Sequence, residues 1–188
     1  MIGAEAKLLR NELSLWEQEH LVAALSKESS IVGESAMVRL IETHISFVLL
    51  LGGLVYKIKK AVDFGFLNFK TLQARQFYCA EEVRLNRRFA QNLYLGVVPI
   101  TGRLDAPRIG GNGDVLDFAV QMHEFPQESL AENLVSQGRL ASAEIDELAV
   151  TLGHSHLTAN SANSDSKFGA PESVLAVALE NCQTLRRL

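Results

Sequence analysis

Two adjacent glycines, Gly52-Gly53, separate the two most apolar runs of the sequence, FVLLL before them and LVYKIK after. Such runs on either side of a Gly-Gly pair read as a β-hairpin, because the tightest two-residue turns need positive φ at both central positions. The hairpin is expected within Val38–Lys60. Thr71–Ala90 then reads as a helix: it has no Gly or Pro and is rich in Gln, Ala, Arg, Glu and Leu. Leu95–Thr101 and Val115–Met122 read as further strands. The loop between them carries Pro107 and Gly110-Gly111-Asn112-Gly113, whose Asn-Gly pair predicts a hairpin turn.

Around this centre the periodicity is helical. Leu8, Leu9, Leu13, Trp16, His20, Leu21, Ala24 and Leu25 predict a helix within Ala4–Lys27. Ser129–Ser136 and Ser142–Leu157 are separated by Gly138. TANSANSDSKFG, residues 158–169, is a polar loop, and a last helix is expected from Pro171 to Leu188. The fold class is therefore α+β, with an antiparallel sheet of about five strands and one long helix, followed by a helical part. The expected division is an N-terminal helical segment 1–30, a sheet-and-helix lobe 31–126 with its helix at 70–90, and helices over 127–188.

Charge narrows the function classes. The 188 residues carry 18 Lys+Arg against 22 Asp+Glu, a net charge of −4 with both signs interspersed. That balance excludes nucleic acid or an anionic membrane as the expected partner. Two cysteines are too few for a disulfide framework. Met1–Arg10 has no basic region followed by an apolar core, and the longest apolar run, Phe47–Leu51, falls far short of the roughly 20 residues that span a bilayer. A soluble cytoplasmic protein is the expectation.

Chemistry enters with one strand and one helix. Alternation from Leu54 to Lys59 puts Leu54, Tyr56 and Ile58 on one face and Val55, Lys57 and Lys59 on the other. At 3.6 residues per turn, Tyr78, Glu82, Leu85 and Phe89 form an apolar stripe flanked by Cys79, Val83, Asn86 and Ala90, whereas Glu81 shares a solvated face with Arg84 and Arg88. A carboxylate on the apolar side of a helix needs a cation. The lysine face of the preceding strand is the nearest source. A strand lysine paired to a glutamate of the next helix is what kinase-type phosphoryl transfer uses to hold nucleotide phosphates.

Three blocks, VYKIKKAVDFGFLNF, CAEEVRLNRRFAQNLYLGVVPITG and DFAVQMHEFPQ, resemble the N-terminal part of an aminoglycoside-phosphotransferase-like kinase domain. The similarity is to the bacterial branch in which that domain precedes a P-loop ATPase domain. The resemblance runs from about Glu42 to Gln127 and, more weakly, to about His156. It implies a kinase-like N-lobe that binds ATP, with magnesium arriving on the nucleotide. Lys57 would be the phosphate-binding lysine and Glu82 its partner, Val55 would cover the adenine, and Met122, His123 and Glu124 would form the hinge. Lys59 is the rival ligand, since Tyr-Lys-Ile-Lys also fits V-A-I-K. Side-chain facing favours Lys57, because a ligand at Lys59 would press the charge of Lys57 on the adenine. Asn68 departs from the Asp usual in its block.

Other motifs carry less. Asp63-Phe64-Gly65 spells a kinase metal-binding motif, but it lies before the Glu82 helix, where that motif has no role. Gly110–Gly113 fits no phosphate-loop pattern. His154 and His156, two residues apart, diverge on a helix and do not predict a metal site. Cys79, on an apolar helix face, reads as a packed thiol. No His-Gly-Asp block, and no later metal-binding Asp, follows the hinge, so no catalytic residue is assigned. The expected function is nucleotide binding without phosphotransfer; the alternative is a non-catalytic, pseudokinase-like binding or regulatory module. Self-association through an incomplete helical lobe is a further expectation.

Overall fold

The computed structural model describes residues 12–27, 38–163 and 165–186, and they divide into two compact units that meet in sequence at Gln127 and Glu128. The predicted helical residues before 12, including Leu8 and Leu9, lie outside the described residues, as do 28–37 and the last two residues.

The first unit holds helix α1 (Leu15–Lys27), strands β1 (Arg39–Glu42), β2 (Ser46–Leu51) and β3 (Leu54–Lys59), helix α2 (Leu72–Asn86), and strands β4 (Tyr94–Arg103), β5 (Ala106–Ile109) and β6 (Val115–His123). The six strands form one antiparallel sheet in the order β1-β2-β3-β6-β4-β5. Gly52 and Gly53 turn β2 into β3 with φ of 57° and 79°, as a two-residue hairpin requires. Thr71 caps α2, its hydroxyl accepting the Ala74 N–H at 3.1 Å.

The sheet has one strand more than the five expected, and the loop reading of 102–114 needs correction. Part of that stretch is β5, which among the described strands pairs with β4 alone. Because β4 lies between β5 and β6, Gly110–Gly113 is not a hairpin turn but a crossing over the end of β4. Glycine suits it sterically. A side chain on Gly111 would start 3.1 Å from the Thr101 hydroxyl, and one on Gly113 would start 3.3 Å from the Gly102 nitrogen.

Among the described residues, each face of the sheet is covered by one helix. Leu21, Val22 and Leu25 of α1 pack with Phe47, Leu49, Tyr56, Ile58, Ile100 and Ala119. Cys79 and Val83 of α2 pack against Val120, with Phe118 and Met122 beside it. Even and odd residues of β6 thus serve opposite helices, as strand alternation demands. Trp16, counted among the apolar residues of the first helix, is exposed instead and lies against His20 with ring centroids 3.9 Å apart and the planes tilted by 45°.

The second unit holds α3 (Ala131–Ser136), α4 (Ser142–Thr158) and α5 (Pro171–Leu185). Glu144 accepts the Ala141 N–H at the start of α4, and Pro171 opens α5. Leu148, Val150, Leu157, Val174, Val177 and Leu179 are exposed. Among the described residues, no helix is long and apolar enough to cross a membrane.

Candidate functional site

The site lies between β3 and α2. Lys57 and Lys59 leave β3 on the same face, and both reach one carboxylate: Lys57 Nζ lies 2.8 Å from Glu82 Oε1 and Lys59 Nζ 2.6 Å from Oε2. The rivalry between the lysines therefore has a different form from the one expected, because both are partners of Glu82. Their surroundings differ. The Lys59 side chain is 7% exposed and sits 5.0 Å from the Phe69 ring centroid, whereas that of Lys57 is 31% exposed. Two ammonium groups on one carboxylate leave an excess positive charge, and Lys57 is the end that water can reach.

The helix presents Glu82 differently from the predicted stripe. The buried residues of α2 are Leu72, Arg75, Cys79 and Val83, while Tyr78, Leu85 and Phe89 are exposed. The packed face is centred one residue further round, which puts Glu82 on its rim with 12% of its side chain exposed. Burial disfavours the charged form there. The hydrogen bonds and charges of Lys57 and Lys59 outweigh it and hold the Glu82 carboxyl below its ordinary range. Glu81 points away and pairs with Arg84 in solvent.

The remaining predicted residues are spread along the sheet. Val55 is buried, two residues before Lys57 on the same face, and stands opposite Met122 in the ladder. His123 and Glu124 follow at the end of β6. Their backbone N–H groups donate to the carbonyls of Leu93 and Gly53, each within 2.9 Å. In this conformation neither offers its N–H to a ligand edge. A cavity of about 620 Å³ opens beside His123, walled by Arg87, Tyr94 and Leu95 among others. It does not include Lys57, Lys59 or Glu82.

Asp63 accepts the Gly65 N–H and the Asn68 side-chain amide, at 2.9 and 3.0 Å, and so staples its own loop. Asn68 does this as an amide, with its oxygen taking the Lys70 N–H. An aspartate there would set two carboxylates face to face.

Sequence reasoning missed a second polar group behind the lysines. Arg75 Nε donates to Asp117 Oδ1 at 2.8 Å, Gln18 Nε2 donates to Asp117 Oδ2 at 2.5 Å, and all three side chains are fully buried. Arg75 also donates to the carbonyls of Phe69 and Lys70. The available signal was spacing: Arg75 lies two turns before Glu82, on the same helical stripe.

Three mycobacterial proteins are similar to this chain, one from Mycobacterium bovis and two from strains of Mycobacterium tuberculosis, each called an uncharacterized protein. Each is 30% identical over 115 residues, which is 61% of this chain and 22% of the relative. The chain thus spans about a fifth of the length of the curated relatives it matches. No family model matches the sequence, and no solved structure matches it.

Cys79 lies against the sheet beneath this site, and burial pushes its thiol up to about 12, against the pull of the Lys59 charge. A thiol reagent on the native protein should therefore label exposed Cys182 and spare Cys79 until denaturant is added. Mass spectrometry of the labelled peptides reads this directly. Equal labelling rates would mean that α2 does not pack on the sheet.

Proposed function

We propose that this chain is the nucleotide-binding portion of an aminoglycoside-phosphotransferase-like kinase domain. The phosphates of ATP or ADP would be held on Lys57, with Glu82 and Lys59 behind it. The observation that carries this reading is the ion pair of 2.8 Å between a lysine of the third strand and a glutamate of the following helix. That is the pairing kinases use to position phosphates. The second lysine strengthens it, because Lys59 can keep Glu82 neutralised while Lys57 turns to an anion.

The residues fit the phosphate half of a nucleotide. Magnesium bound to the nucleotide would supply counter-charge for the phosphate oxygens. The sequence contains no His-Gly-Asp block, so the proposal for these residues is binding, not transfer. A second reading is favoured by the engaged N–H groups of His123 and Glu124. In it the chain is a pseudokinase-like module whose lysine–glutamate group is structural.

Thermal melts in millimolar Mg-ATP separate the two. Ligand at 100 times its dissociation constant should add about 2.7 kcal/mol of stability to the wild type. Lys57→Ala should lose that gain while keeping its own ligand-free melting temperature close to wild type. If Mg-ATP leaves both proteins equally unmoved, the nucleotide reading fails and the structural one stands.

A further inference from the structure

The lysine–glutamate group is backed by a polar group that is fully buried: Gln18, Arg75 and Asp117. Strand β3 pairs with β6 as far as Ile58 opposite Ala119, one residue before β3 ends. Asp117 lies two residues earlier on β6, opposite Ile100 of β4 and fully buried. Gln18 reaches it from α1 and Arg75 from α2, so the two helices on opposite faces meet on one carboxylate. Gln18 does more than touch Asp117. Its Nε2 also donates to the Lys59 carbonyl at 3.0 Å, and its Oε1 accepts the Ala61 N–H at 2.6 Å. Every polar atom of this buried side chain is therefore committed to the end of β3 or to Asp117.

We propose that Gln18 is a positioning residue for the phosphate site: helix α1, acting through it, fixes the last residue of β3 and hence the reach of Lys59 to Glu82. This rests on the nucleotide reading only for its consequence on binding. The physical chain is short. Gln18 holds the Lys59 backbone, the Lys59 ammonium holds Glu82 at 2.6 Å, and Glu82 aligns Lys57 at 2.8 Å. Arg75, on the same helix two turns before Glu82, is tied to the same Asp117. Strand and helix are thereby referred to one buried point.

The test uses the full chain with Gln18→Met, which keeps the side-chain volume and removes all three hydrogen bonds. Amine acylation of Lys59 is compared by mass spectrometry with thiol alkylation of Cys79. The latter is the internal control for opening of the fold, because it is fully buried on α2 and none of the Gln18 hydrogen bonds reaches it. Labelling of Lys59 relative to Cys79 should rise about fivefold. A merely destabilised fold would raise both together, and an unchanged ratio overturns the proposal. Where the wild type binds Mg-ATP, Gln18→Met should weaken binding by a similar factor; wild-type affinity with a raised ratio would overturn the link to the phosphate site. Where the wild type shows no Mg-ATP binding, the nucleotide reading falls, and the labelling ratio alone decides the positioning claim. Should Gln18→Met fail to fold, hydrogen exchange on the wild type decides instead. The Ala61 amide should be protected like that of Ile58, and exchange as fast as that of the Gly65 loop amide overturns the proposal.

Discussion

Arg75→Leu is expected to cost about 3–5 kcal/mol. Asp117 would be left fully buried with its ion-pair partner gone, and the carbonyls of Phe69 and Lys70 would lose their donors. Uncompensated charge in a dry interior is what makes the loss large; the ion pair itself need contribute little net stability. A domain of this size has roughly 5–15 kcal/mol in hand, so the variant should melt far below wild type or not fold at all. The double variant Arg75→Leu/Asp117→Leu tests the cause. Replacing both charges removes the unpaired carboxylate, so it should recover most of the stability despite the second substitution. Denaturant unfolding of the three proteins gives the coupling. If the double variant is as unstable as the two losses added together, the pair is not the buried unit described.

The second large effect separates two neighbouring glutamates. Glu82→Ala strands the buried Lys59 ammonium beside Lys57 with no counter-charge and should cost about 2–3 kcal/mol. Glu81→Ala removes only a solvent-exposed pair with Arg84 and should leave the melt unchanged. The difference should also depend on pH. The Glu82 carboxyl is held below its ordinary value of 4.5, so its stabilisation is fully present above that value and lost as pH falls through the lower folded one. The gap between wild type and Glu82→Ala should therefore be constant near neutrality and close in acid. Equal effects of the two substitutions at pH 7 would place Glu82 in solvent and remove the basis of the site.

Part of this site was legible without coordinates because it is carried by short-range rules. Period-two alternation assigns Lys57 and Lys59 to one face, and the 3.6-residue repeat separates Glu82 from Glu81. The rotation of α2 was less legible. Tyr78, Leu85 and Phe89 are as apolar as the residues that are buried, and Arg75 looks like a surface residue until its partner is known. That partner is 42 positions away, and Gln18 is 99 positions from the same Asp117. No local spacing links residues so far apart. The glycines at 110–113 show the same limit: their composition announces a turn, but which strands they join depends on β4 coming between β5 and β6.

Backbone sterics and side-chain period are properties of a few consecutive residues. The Gly52-Gly53 hairpin, the start of α2 and the lysine face of β3 were accordingly decided by the residues there, whereas α2 ends at Asn86, short of the Ala90 its composition predicts. The number of lysines that meet Glu82, the exposure that distinguishes Lys57 from Lys59, and the fixing of that group by Gln18, Asp117 and Arg75 were decided only when the sheet closed. Electrostatic energy depends on distance and on how much water remains between charges, and both come into being with the packed fold.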